Sequence, residues 1–128
     1  AAGCGRIIEG TAAQLHHSLA RLAALPDATR VFCTHEYTLS NLRFALAADA
    51  DNEALIARSF EAQEQRARGE PTLPSTIGLE RKTNPFLRCD TAPVIRSARA
   101  SANLPAANQS NEVDVFALLR QWKNTFRG

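Results

Sequence analysis

Residues 29–41, TRVFCTHEYTLSN, decide how the chain is read. Val31, Phe32 and Cys33 are consecutive and apolar, and an unalternating run of this kind predicts a strand covered on both faces. The run stops at His35, Glu36 and Tyr37, and a helical pattern begins at Thr38. Loops at the ends of buried strands are where rigid scaffolds place chemical groups, so an imidazole, a carboxylate and a phenol in succession make a candidate site. A strand covered on both faces also needs neighbours. No other segment reads as a convincing strand, so the sheet it belongs to is expected to lie outside these 128 residues.

Everything else outward from that stretch reads as helix or connector. Upstream, AAGCGRIIEG at 1–10 sets three glycines around Cys4 and Arg6, which predicts a turn with positive φ angles bringing Arg6 near its apex. Its spacing fits neither GxGxxG nor the Walker pattern. Thr11 with Gln14 three residues later forms a capping box, and Leu15, Leu19 and Leu22 follow at helical spacing to about Leu25, where Pro26 and Asp27 end the helix. His16 and His17 point about 100° apart on that helix, so they are read as surface or boundary residues and not as a shared metal site.

Downstream, Leu39, Leu42 and Leu46 mark one face of a helix from Thr38 to about Ala48, flanked by Phe44 and Ala45. Asp51 or Asn52 caps a third helix with Ile56, Phe60 and Ala67 as its buried side, Glu64 and Arg68 as an exposed pair, and Gly69 at the C′ position. EPTLPS at 70–75 predicts an extended connector and Asn84-Pro85 closes a short segment after it. Thr91 caps a short helix reaching Arg99, and a loop spans 101–111. The last helix runs from near Asn111 to Phe126 with Val115, Leu119, Trp122 and Phe126 as its apolar stripe. Arg120, Lys123 and Arg127 lie on an adjoining stripe that reads either as a solvated cationic face or as a clamp for a carboxylate or phosphate. One strand against five or six helices is mainly α.

Composition narrows the function classes. With 45% apolar and 22% charged residues the chain is ordinary folded protein, and 15 basic against 13 acidic residues give a net +2, too balanced to require a nucleic-acid or membrane partner. Three separated cysteines with no CxxC pair indicate neither a disulfide framework nor a cysteine zinc site, and favour a reducing, cytoplasmic setting. No apolar run approaches the ~20 residues of a membrane span. Methionine is absent even from position 1, so the chain is expected to be a piece of a longer protein. A catalytic zinc needs about three protein ligands and only His35 is well placed; no serine or cysteine sits in a nucleophile elbow. No complete active site is legible, and no catalytic residue is assigned.

Five blocks carry a resemblance: GCGRIIEGT at 3–11, THEYTLSNLRFA at 34–45, GEPTLPST at 69–76, NPFLR at 84–88 and FALLRQWKNTF at 116–126. Together and in order they resemble the C-terminal half of glyoxalase II, the hydroxyacylglutathione hydrolases of the metallo-β-lactamase superfamily. The resemblance implies a mainly α fold: residues 1–36 as the last remnant of an αββα metallo-β-lactamase sandwich, and residues 37–128 as a helical glutathione-binding domain. It implies a parent enzyme that hydrolyses S-lactoylglutathione to glutathione and D-lactate with two divalent metal ions, zinc foremost and iron or manganese as alternatives. Most of the ligands, an HxHxDH motif among them, would lie in a missing N-terminal half. His35 carries over as the last metal ligand, and Arg6, Tyr37, Arg120 and Lys123 as the groups that hold glutathione; Arg127 has no counterpart. Ile8 stands where the family usually has an aromatic residue. Alone, this chain is expected to hold no metal tightly and to be inactive. The competing expectation, resting on the basic stripe alone, is a metal-independent helical module for an anionic partner.

Overall fold

The computed structural model describes all 128 residues, Ala1–Gly128. Its elements in chain order are α1 (Ala12–Ala23), β1 (Arg30–Val31), α2 (Thr38–Ala48), α3 (Glu53–Ala67), β2 (Ser75–Thr76), α4 (Ile77–Thr83), a 3-10 turn (Pro85–Leu87), α5 (Ala92–Ser101) and α6 (Glu112–Thr125). The mainly α expectation holds. The local signals account for most boundaries: Thr11 and Gln14 close the capping box at 2.9 and 3.2 Å, Asn52 caps α3 through Leu55 N–H, Asn111 caps α6, and Pro93 sits in the first turn of α5. Gly69 (φ +75°) ends α3 in a Schellman turn, with Gly69 N–H donating to Arg66 O and Glu70 N–H to Gln65 O.

Three expectations are corrected. The strand after Thr29 is only two residues long, Phe32 is 69% exposed, and the pairing partner lies within the chain: Arg30 and Val31 pair antiparallel with Thr76 and Ser75. The proline-rich connector therefore ends as an edge strand, a position proline tolerates because it needs no ladder donor there. On α3 the buried side is Leu55, Arg58, Ser59 and Ala62, while Ile56, Phe60 and Ala67 face out. The helix is turned by one residue because Arg58 is drawn inward by Glu80, an outcome that an apolar stripe cannot reveal. Arg68 pairs with Glu70, not Glu64, at 3.0 Å.

The main core lies where α2, α5, α6 and the 3-10 turn meet. Phe44, Phe86 and Phe116 are its buried rings, with Phe44 stacked on Phe86 at 5.7 Å and Phe86 edge-on to Phe116 at 5.7 Å; Val94, Ile95, Ala98, Val115 and Leu119 fill around them. Such ring pairs add about 0.5–1.5 kcal/mol each beyond the area they bury. A smaller core of Ala2, Leu42, Ala45, Leu55 and Ala62 joins the N-terminal segment to α2 and α3. α1 contributes no fully buried residue; Leu15 and Leu19 pack on the main core while Leu22 is 52% exposed. His16 is half-buried, edge-on to Phe116, and His17 is exposed, as their sequence places them.

Candidate functional site

Two hollows meet at the N-terminal segment. One, of about 330 Å³, is walled by Ala1, Gly3, Cys4 and Gly5 on one side and Cys33, Thr34, His35, Tyr37 and Asn41 on the other. The other, of about 390 Å³, is lined by Arg6, Ile7, Ala12, Ala117, Arg120, Gln121 and Asn124. Residues 3–5 border the first and residues 6–7 the second, so the glycine-rich segment is the wall between them.

That segment is held by side chains from three helices and by Asn84, the residue between α4 and the 3-10 turn. Asn41 Nδ2 of α2 donates to Ala1 O (3.0 Å), Glu80 of α4 accepts from Ala2 N–H (2.8 Å), Asn84 Nδ2 donates to Gly3 O (2.9 Å), and Arg120 Nη1 of α6 donates to Cys4 O and Gly5 O (3.2 and 3.3 Å). Of the three glycines, Gly10 (φ 84°) takes the expected positive φ while Gly3 and Gly5 do not, and a further positive φ falls on Ala2 (φ 60°). A Cβ at Gly3 would lie 2.8 Å from the Asn41 amide and push it from its bond to Ala1 O. Beneath the segment, Glu80 is locked by Arg58 (2.5 Å) and Ser75 (2.9 Å), with Arg58 also reaching Thr83 (2.7 Å). Asn41, Arg58, Glu80 and Asn84 escape a reading of sequence because each looks like a helix-surface or turn residue until the segment they grip is placed.

At the first hollow, His35 and Tyr37 are both exposed and their rings stack at 5.2 Å with 22° between planes. The β1–α2 turn positions them, one on either side of Glu36. Burial pushes the Glu36 carboxyl up, but hydrogen bonds from the Thr72 hydroxyl and backbone N–H, together with Arg66 and Thr38, outweigh it and leave its pKa below the ordinary glutamate value. Cys4 lies 3.3 Å from Arg120 Nη1; burial raises its thiol pKa despite that arginine.

The expected cationic stripe on α6 is neither wholly solvated nor wholly free. Arg120 is 6% exposed, its guanidinium lies 5.1 Å from the Phe86 ring, Nη2 donates to Asn124 Oδ1 (3.1 Å), and its buried Nε has no partner. Lys123 is half-buried with Nζ 5.6 Å from the Phe44 centroid. Burial lowers the Lys123 pKa, and the charges of Arg120, Arg43 and Arg6 lower it further. None of these four cations pairs with an Asp or Glu side chain, although Arg43 Nε donates to the terminal Gly128 O at 3.0 Å. Arg127 is exposed, and Ile8 is 91% exposed. Arg6 and Arg120 line the second hollow, with Lys123 near enough to feel their charge, and cations so placed can bind carboxylates by charge-assisted hydrogen bonds.

A family model described as hydroxyacylglutathione hydrolase C-terminus matches residues 36–126. The chain belongs to the hydroxyacylglutathione hydrolase family. It is 59% identical over 127 residues to a hydroxyacylglutathione hydrolase of Pseudomonas aeruginosa, covering 98% of this chain and 48% of that protein. Proteins of the same name from a Shewanella species and from Nitrosomonas europaea are 54% and 50% identical, over 98% and 100% of this chain and 47% and 48% of their own lengths. The chain thus spans about half the length of the hydroxyacylglutathione hydrolases it matches. The match takes in Tyr37, Arg120 and Lys123 and begins one residue after His35.

Proposed function

We propose that the chain is the glutathione-binding half of a thioester hydrolase that converts S-lactoylglutathione to glutathione and D-lactate. Residues 1–36 are then what remains of a metallo-β-lactamase-like domain, and residues 37–128 the helical domain that receives the tripeptide. The observation that carries this reading is the gathering of Arg6, Arg120 and Lys123 without an Asp or Glu partner, with Arg120 also holding the Cys4–Gly5 wall of the hollow that His35 and Tyr37 line. Glutathione brings two carboxylates and two peptide groups, which such a cluster complements.

In this reading Lys123 and Arg6 meet the carboxylates, and the Tyr37 hydroxyl donates to the tripeptide near the sulfur. Arg120 acts on both sides: it holds the Cys4 and Gly5 carbonyls, and so places Arg6, while its unpartnered Nε adds positive charge close to the second hollow. No three His, Cys, Asp or Glu side chains gather closely enough to hold a metal ion. His35, exposed at the first hollow, fits one ligand of a metal centre, and the remainder would come from outside the 128 residues. Divalent ions, zinc or else iron or manganese, supply Lewis acidity at the thioester carbonyl when bound. Three unpaired thiols favour a reducing cytoplasm for this chemistry, and no helix is long and apolar enough to cross a membrane.

The test is hydrolysis of S-lactoylglutathione by the chain alone and by the protein extended upstream with the metal-bearing half. The reading predicts turnover only in the extended protein, and its loss by at least a hundredfold in His35→Ala. Turnover unaffected by His35→Ala, or none in the metal-loaded extended protein, contradicts it.

A further inference from the structure

The carboxylate between His35 and Tyr37 has no role in the reading above, yet it is the most tightly gripped group of the turn. Glu36 Oε2 accepts from the Thr72 backbone N–H at 2.9 Å and Oε1 accepts from the Thr72 hydroxyl. With its proton committed to Glu36, the Thr72 oxygen is left to accept from the Thr38 hydroxyl 2.7 Å away, and Thr38 is the buried first residue of α2. A two-point, charge-assisted grip fixes orientation as well as distance.

The connector that supplies Thr72 also supplies β2, which pairs with β1 through Arg30–Thr76 and Val31–Ser75. The six residues between Val31 and Thr38 are therefore stapled to one extended segment at both ends. Tyr37, at the N-cap position of α2, makes no side-chain capping bond, so the Glu36 grip does the work a cap would do in setting how the turn enters the helix. The rings it flanks are exposed and stack on each other, so the backbone between them sets their register.

We infer that Glu36 is a positioning residue: through Thr72 it fixes the spacing and relative plane of His35 and Tyr37, so that what the imidazole binds and what the phenol touches meet in one geometry. The use of the two rings rests on the hydrolase reading, but the clamp does not.

The test is NMR on the 128-residue chain, comparing wild type with Glu36→Gln, Glu36→Ala, Thr72→Ser and Thr72→Val. In wild type the carbon-bound His35 ring protons should show a ring-current shift and cross-relaxation to Tyr37. Glu36→Gln can still accept from the N–H and donate to the hydroxyl, and Thr72→Ser keeps that hydroxyl, so both should retain these signals. Glu36→Ala and Thr72→Val should lose them, with the His35 shifts moving to random-coil values while the resonances of Phe44 and Phe116 stay in place. Retention of the stacked signals in Glu36→Ala or Thr72→Val overturns the inference, as does their loss in Glu36→Gln. In the upstream-extended protein, Glu36→Ala should lower kcat/KM at least tenfold and Glu36→Gln should restore it to within about threefold. A wild-type extended protein without thioesterase activity would sink the hydrolase reading and leave the clamp to be decided by the NMR signals.

Discussion

Lys123 is the residue whose chemistry is most exposed to measurement. Burial and three neighbouring arginines favour its neutral form, so it surrenders its proton at a lower pH than an ordinary lysine. A bound carboxylate reverses that pressure. Affinity for a glutathione thioether should therefore be full below the lowered pKa and decline as pH rises through it. Lys123→Arg, which stays charged, should remove that part of the decline when the two proteins are compared by calorimetry across the alkaline range. Identical pH profiles would place the anion elsewhere. His35, Tyr37 and the α6 cations were legible in the sequence because their spacing and chemical type stand out locally. Asn41, Glu80 and Asn84 were not, because each serves a peptide group more than 35 positions away.

Elements were legible to the extent that their signals are local. The caps at Thr11, Asn52, Asn111 and the glycine stop at Gly69 fall where the sequence puts them, since each needs only the residues within one turn. The facing of α3 was not legible, because a buried ion pair decides it. The side chains of Arg58 and Glu80 are each 6% exposed and are bonded further to Ser75 and Thr83, with Glu80 also accepting from Ala2 N–H and Asn84, whereas Arg68 and Glu70 are largely exposed. Removing one member of a buried pair strands the other, at a cost of about 3–5 kcal/mol. Glu80→Ala should therefore lower the denaturation midpoint sharply and release the Ala2–Gly3 segment, while Glu70→Ala should leave the midpoint almost unchanged. Equal effects in urea titrations would mean that the Glu80 network does not organise the fold.

At the scale of the molecule, a mainly α body with one two-stranded ribbon presents two rings and a cationic cluster around a glycine-rich wall, and the hydrolases it matches are about twice as long. The apolar run after Thr29 reads as a strand with no sheet to join, and the structure corrects that expectation. Its partner, Ser75–Thr76, lies within the chain and was hidden by two prolines that ordinarily argue against a strand. The most direct test of the central claim is a titration of the 128-residue chain with S-methylglutathione, followed by amide shifts. The account predicts shifts clustered at Arg6, Tyr37, Arg120 and Lys123, with affinity falling at least tenfold in Lys123→Ala. Shifts confined to other surfaces, or none at millimolar ligand, would contradict it.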